Sequence, residues 1–155
     1  MVKLRKFSAY QRLERPYTRI SKFSKKNYVR GGFPHLKLTK FEMGDPKAPF
    51  ELTLTLNSKK SMNVRQDALE AARMSSNRIL EKSLGKNYYF RIRVYPFHVL
   101  RENPLAAGAG ADRMSTGMQR SYGKPIGAAA RVFEGQTIIE LRVDKQHIAL
   151  AKEAL

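Results

Sequence analysis

Gly108 and Gly110, with Gly123-Lys124 further along, are the residues whose types and spacing come closest to a phosphate cradle. Glycine lets a backbone approach a phosphate closely, and a following lysine supplies charge. Neither phosphate motif is complete. The dinucleotide fingerprint requires a further glycine where this chain has Arg113, and the P-loop requires Ser or Thr after its Gly-Lys where this chain has Pro125. Asp112 has no evident second group to make it a general acid or base, so its side chain is expected to bond the local backbone. His35, His98 and His147 lie far apart, with no paired metal-ligand spacing, and the chain has no cysteine. Disulfides, zinc thiolates and thiol nucleophiles are thereby excluded. No cofactor or metal is expected, and the chain is not read as an enzyme.

Electrostatic binding is the chemistry that remains. From Ala106 to Pro125 four glycines and several alanines leave little side-chain volume to bury, so the segment cannot offset its own ordering entropy. Loops longer than about 12–15 residues are uncommon in compact domains and are usually functional or disordered. Arg113, Arg120 and Lys124, set among Gly108, Gly110, Asp112, Met114 and Gly117, favour a functional loop that neutralises phosphate.

The wider charge balance agrees. The 155 residues carry 30 Lys and Arg against 13 Asp and Glu, a net charge of +17. Such an excess repels itself and calls for a polyanion. More than half of it falls in the first thirty positions, where Lys3, Arg5, Lys6, Arg12, Arg15, Arg19, Lys22, Lys25, Lys26 and Arg30 face one acid, Glu14. Phe7, Tyr10, Tyr17, Phe23 and Tyr28 are interleaved at irregular intervals that fit neither helix nor strand. Residues 1–32 are therefore expected to form an extended basic arm, its cations on phosphates and rings such as Tyr17 and Tyr28 on unpaired bases, as RNA recognition requires. A disordered solubilising tail is the plainer alternative.

These groups must be carried by a domain. Residues 33–155 read as a single α+β domain, and a chain of this length buries roughly 70% of its unfolded surface. Leu36, Leu38 and Phe41 begin a short strand before the turn Gly44-Asp45-Pro46. Phe50, Leu52, Leu54 and Leu56 alternate with Glu51, Thr53 and Thr55, the pattern of a half-buried strand. Asn63 with Gln66 suggests a capping box opening a helix that ends at Gly85, with Val64, Ala68, Ala72 and Ile79 inward and Arg65, Arg73 and Lys82 on a solvated face. In the next strand Phe90, Ile92 and Val94 point inward, while Arg91 and Arg93 form an outer basic stripe. Beyond the loop, 128–132 and 138–143 suggest a hairpin around Glu134-Gly135, and Asp144 caps a last helix. The long loop, taken as 102–127, thus joins two core strands of a rigid scaffold. No apolar run approaches a membrane span and no signal-peptide core is present, so the chain is expected to be soluble and intracellular, with no membrane partner.

The string Phe97-His98-Val99-Leu100-Arg101-Glu102-Asn103-Pro104, the Ala107-Gly108-Ala109-Gly110-Ala111-Asp112-Arg113 loop and Gly123-Lys124-Pro125 resemble a known family. It is the large-subunit ribosomal protein family called L-sixteen in bacteria and L-ten-e in archaea and eukaryotes. Arg15-Pro16-Tyr17-Thr18-Arg19, Phe41-Glu42-Met43-Gly44 and Ala68-Leu69-Glu70-Ala71-Ala72-Arg73 extend the likeness over nearly the whole chain, closest to the archaeal and eukaryotic branch.

The resemblance implies a hammerhead-type mixed sheet with two helices, embedded in large-subunit rRNA in the cytoplasm. It also implies no catalysis, support for tRNA near the peptidyl-transferase region, and a tRNA-facing loop at Gly108 to Tyr122. Neighbouring large-subunit proteins and subunit assembly factors are further implied partners. Relatives continue through a basic tail beyond the Ala154-Leu155 end of this sequence. A free-standing RNA-binding regulator and a nucleotide-dependent RNA-modifying enzyme are the alternative functions.

Overall fold

The computed structural model describes residues 4–13, 33–105, 108–110, 118 and 121–155. Within them α1 (Ser8–Gln11) is a single turn, followed by β1 (Glu42–Gly44), β2 (Leu52–Asn57), β3 (Met62–Arg65) and the long helix α2 (Gln66–Leu84). Then come β4 (Tyr89–Ile92), β5 (His98–Glu102), β6 (Lys124–Val132), β7 (Thr137–Val143), a 3-10 turn (Lys145–His147) and α3 (Ile148–Ala154). The α+β class agrees with the sequence. The strands form two sheets, where a single mixed sheet is expected: one ordered β1-β4-β7-β2, the other β3-β6-β5. Every described pairing is antiparallel.

The two sheets are joined by a ribbon that changes sheet midway. β2 pairs with β7 and β3 pairs with β6, so the β2–β3 and β6–β7 links cross from one sheet to the other side by side. At the corner Ser58 N–H donates to the Gln136 carbonyl (3.0 Å), Gly135 N–H to the Ser58 carbonyl (2.9 Å), and Glu134 N–H to Ser61 Oγ (3.0 Å). The hairpin expected around Glu134-Gly135 is therefore a corner. Its turn is present, Gln136 N–H donating to the Phe133 carbonyl (3.1 Å), but its two strands belong to different sheets, and segment 58–61 bonds to the turn from outside.

The period-two patterns hold in part: Leu56, expected on the inner face of β2, is 37% exposed. Phe90 and Ile92 of β4 and Ile139, Leu141 and Val143 of β7 are buried, with Leu54 of β2 packed against them. Leu69 and Leu80 of α2 and Ala151 and Ala154 of α3 join the same core. The inward stripe of α2 runs Leu69, Ala72, Ser76, Ile79 and Leu80, so the expected Ala68 is on the exposed side. Ser76 Oγ donates to the Ala154 carbonyl at 2.6 Å, tying α3 to α2 and satisfying one of that short helix's terminal carbonyls.

The helix ends at Gly85 as expected, its N–H donating to the Glu81 carbonyl (3.1 Å). Its start departs from expectation. Asn63 lies in β3, paired with Arg131, and cannot cap the helix; Arg65 holds the cap position without a side-chain bond. Gly44 is required where it stands: at φ +86 a Cβ there would lie 1.9 Å from the Tyr88 carbonyl oxygen.

Candidate nucleic-acid interface

The long loop grows from adjacent strands. β5 and β6 pair in register from His98↔Ala129 to Glu102↔Lys124, with a bulge after Leu100. β5 ends at Glu102 and Lys124 is the first residue of β6, so both ends of the expected 102–127 loop lie in paired strands. Gly123 closes its neck: at φ +76 a Cβ would meet the Glu102 backbone at 2.6 to 2.9 Å, so only glycine permits this approach. Gly108 and Gly110, also at positive φ, are exposed. Asp112, Arg113, Met114, Gly117 and Arg120 lie outside the described residues.

The start of the arm is docked on the sheet that carries this loop. Arg5 donates to the Arg101 carbonyl (3.3 Å) and pairs with Glu102 (3.3 Å). The cross-strand pair Asn63 and Arg131 then holds the backbone, Asn63 Nδ2 donating to the Arg12 carbonyl (3.1 Å) and Arg131 Nη2 to that of Leu13 (3.5 Å). The expectation of an extended arm fails over residues 8–11, which form α1 against β3. These grips come from residues 50 and more positions away, so local composition carries no trace of them. Lys6 and the Arg12 side chain remain exposed. Lys3, Arg15, Tyr17, Arg19, Lys22, Lys25, Lys26, Tyr28 and Arg30 lie outside the described residues.

Between the docked turn and β5 lies a cleft of about 600 Å³, lined by Arg5, Arg12, Asn63, His98, Arg101 and Tyr122 among others. Of these only Arg5 and Arg12 stand among the site residues expected from sequence. Burial, and then the nearby charges of Arg131 and Arg101, hold the His98 imidazole below its ordinary pKa and so favour its neutral form. The period of two could have placed Arg101 in a strand. Only the tertiary fold brings it to Arg5 and Arg12.

The expected basic stripe has its own geometry on the first sheet. Arg91 pairs with Glu42 (3.2 Å), and Arg93 and Arg142 both pair with Glu140 (3.1 and 2.7 Å). Arg142 also stacks over the Tyr89 ring at 5.1 Å. With its side chain only 10% exposed, Glu140 sits under the two guanidinium groups and orients them. The stripe is thus three arginines interleaved with two carboxylates, less positive than Arg91 and Arg93 alone suggest.

The helix face is less basic than expected. The Arg65 side chain is 11% exposed and pairs with Asp67, and that of Arg73 is 16% exposed and pairs with Glu70, so neither is solvated. The hydrogen bond from Lys37 holds the Asp67 carboxyl below its ordinary range, and that from Arg73 does the same for Glu70. Lys82 remains exposed. Among the described residues no group of three or more His, Asp or Glu is placed to hold a metal, and no helix is long and apolar enough to cross a membrane.

The family model described as ribosomal protein L16p/L10e matches residues 16–155. Three archaeal proteins, each named large ribosomal subunit protein uL16, are similar along most of their length. The one from Hyperthermus butylicus is 46% identical over 141 residues, 90% of this chain and 74% of the relative. That from Archaeoglobus fulgidus is 44% identical over 147 residues, 94% and 80%. For Methanocella arvoryzae the figures are 46% over 146 residues, 91% and 85%. The chain belongs to the ribosomal protein L16p/L10e family.

Proposed function

We propose that this chain is a structural constituent of the large ribosomal subunit, working in the cytoplasm, that binds rRNA and supports tRNA near the peptidyl-transferase region. The observation that carries the reading is the family match over residues 16–155 in a chain of net charge +17. Its role is binding, not catalysis. The arm, residues 1–32, lies along rRNA through Lys3, Arg5, Lys6, Arg12, Arg15, Arg19, Lys22, Lys25, Lys26 and Arg30, with Tyr17 and Tyr28 against unpaired bases. Arg91 and Arg93 add a second rRNA contact from the sheet face. The pinned neck at Glu102↔Lys124 supports a loop that projects toward tRNA, Arg113 and Arg120 meeting phosphate. Neighbouring large-subunit proteins complete the site, and an assembly factor delivers the chain.

Quantitative mass spectrometry across a sucrose gradient tests the assignment. About one copy per large subunit is expected, and a chain found only in light fractions is instead a free-standing regulator. For the loop, replacing Arg113 and Arg120 with Ala is expected to leave subunit association intact while lowering the polysome fraction. Unchanged polysomes in that double variant would remove the loop from tRNA handling.

A further inference from the structure

The cleft between the docked N-terminal turn and β5 combines features that the family assignment does not explain. Its volume of about 600 Å³ falls within the roughly 300–1,000 Å³ range of small-molecule sites. Arg5, Arg12 and Arg101 line it, with Glu102 paired to Arg5. Guanidinium groups match phosphate oxygens in charge and fork geometry.

Tyr122 stands on the rim, 72% exposed, one residue before the glycine that closes the loop's neck. A large ring left in water beside arginines is a stacking platform without its partner. Asn63 adds a third feature. It is only 7% exposed, its Nδ2 is committed to the Arg12 carbonyl, and its Oδ1 has no hydrogen-bond partner among the described residues. Buried acceptors are seldom left unmade, because desolvation without a new bond is costly.

We propose that this cleft binds a single unpaired RNA nucleotide, its phosphate held by Arg5, Arg12 and Arg101, its base on Tyr122, and a base amino group turned toward Asn63 Oδ1. Arginines alone describe any anion site; the exposed ring and the buried acceptor are what a base adds. The site lies where the basic arm and the loop meet one sheet, so a strand of RNA following either passes it. The choice of RNA as the source of the nucleotide rests on the ribosomal reading above, whereas the binding chemistry can be measured without a ribosome.

The full chain, labelled with nitrogen-15, is titrated separately at low salt with AMP, CMP, GMP, UMP and inorganic phosphate while backbone amide shifts are followed. Saturable nucleotide-dependent shifts are expected at Leu100, Arg101, Tyr122 and Gly123, with none of comparable size around Arg93 and Arg142. Tyr122→Ala is expected to weaken nucleotide binding roughly tenfold while leaving phosphate binding unchanged, and Tyr122→Phe to restore it. Arg12→Gln, which keeps the carbonyl held by Asn63, is expected to weaken both ligands.

Equal binding of phosphate and nucleotide, indifferent to Tyr122→Ala, would overturn the proposal in favour of a simple anion site. An absence of shifts at the cleft would overturn it in favour of a site filled by the chain itself. Failure of the chain to sediment with large subunits would leave the titration result standing, so the two readings fail separately.

Discussion

His98 and Gly123 show how single residues tune the sheet that carries the loop. Because burial and two arginines disfavour the charged imidazole, the folded chain binds fewer protons than the unfolded chain just below the ordinary histidine pKa of about 6.5. Stability from this source is full above that pH and is lost as pH falls through 6.5 toward the lower folded value. Asp67 and Glu70, whose folded pKa values are depressed, add stability above their ordinary values of 3.8 and 4.5 that is lost on further acidification. Urea midpoints measured from pH 8 to pH 3 are expected to fall in two stages. A midpoint flat between pH 7 and pH 5 would contradict the account of His98.

For Gly123, the comparison is with Gly135. Both have positive φ, but a Cβ at Gly135 meets nothing within 4 Å, whereas at Gly123 it collides with the Glu102 backbone. Gly135→Ala is expected to cost about 1–2 kcal/mol from the left-handed backbone alone. Gly123→Ala should cost clearly more and open the loop's neck. Equal thermal shifts in the two variants would show that the neck is not tightly closed.

At the scale of elements, the start of the arm is part of the fold. Residues 4–13 are gripped by Asn63, Arg131 and the Arg5–Glu102 pair, so deleting residues 2–13 is expected to expose part of the β3-β6-β5 sheet and lower the melting temperature. Deleting residues 14–30 removes six cations. If each meets a phosphate, the salt dependence of RNA binding flattens by about 4 to 5 in the log–log slope. A melting temperature unchanged by the 2–13 deletion would contradict this docking.

The strands β2 and β4 were legible because alternating burial follows directly from the pleat. The end of α2 was legible because the Gly85 signal is local. The ribbon corner and the docked α1 were not, because a turn's residues do not reveal which strands will pair beyond it, and carbonyls of an arm do not announce distant donors. The cleft was half legible. Arg5 and Arg12 stand out by charge, while Asn63, His98 and Arg101 join them only through the β3–β6–β5 register, and Tyr122 through the neck closed at Gly123.

For the whole molecule, the excess of cations must be balanced by a polyanion, and the family identifies the setting as the large ribosomal subunit. Part of that excess is neutralised within the fold and part is left in solvent. Arg65 and Arg73 fold back onto carboxylates, Arg91, Arg93 and Arg142 share two glutamates, and Lys6, Arg12 and Lys124 remain exposed around the N-terminal turn and the loop's neck.

The most direct test is the affinity of the purified chain for isolated large-subunit rRNA, measured as salt is raised. With about ten phosphates neutralised, the slope of log affinity against log salt is expected to lie near −7 to −9. A slope shallower than about −2 would mean that few phosphates are met, and would contradict electrostatic anchoring as the basis of this protein's function.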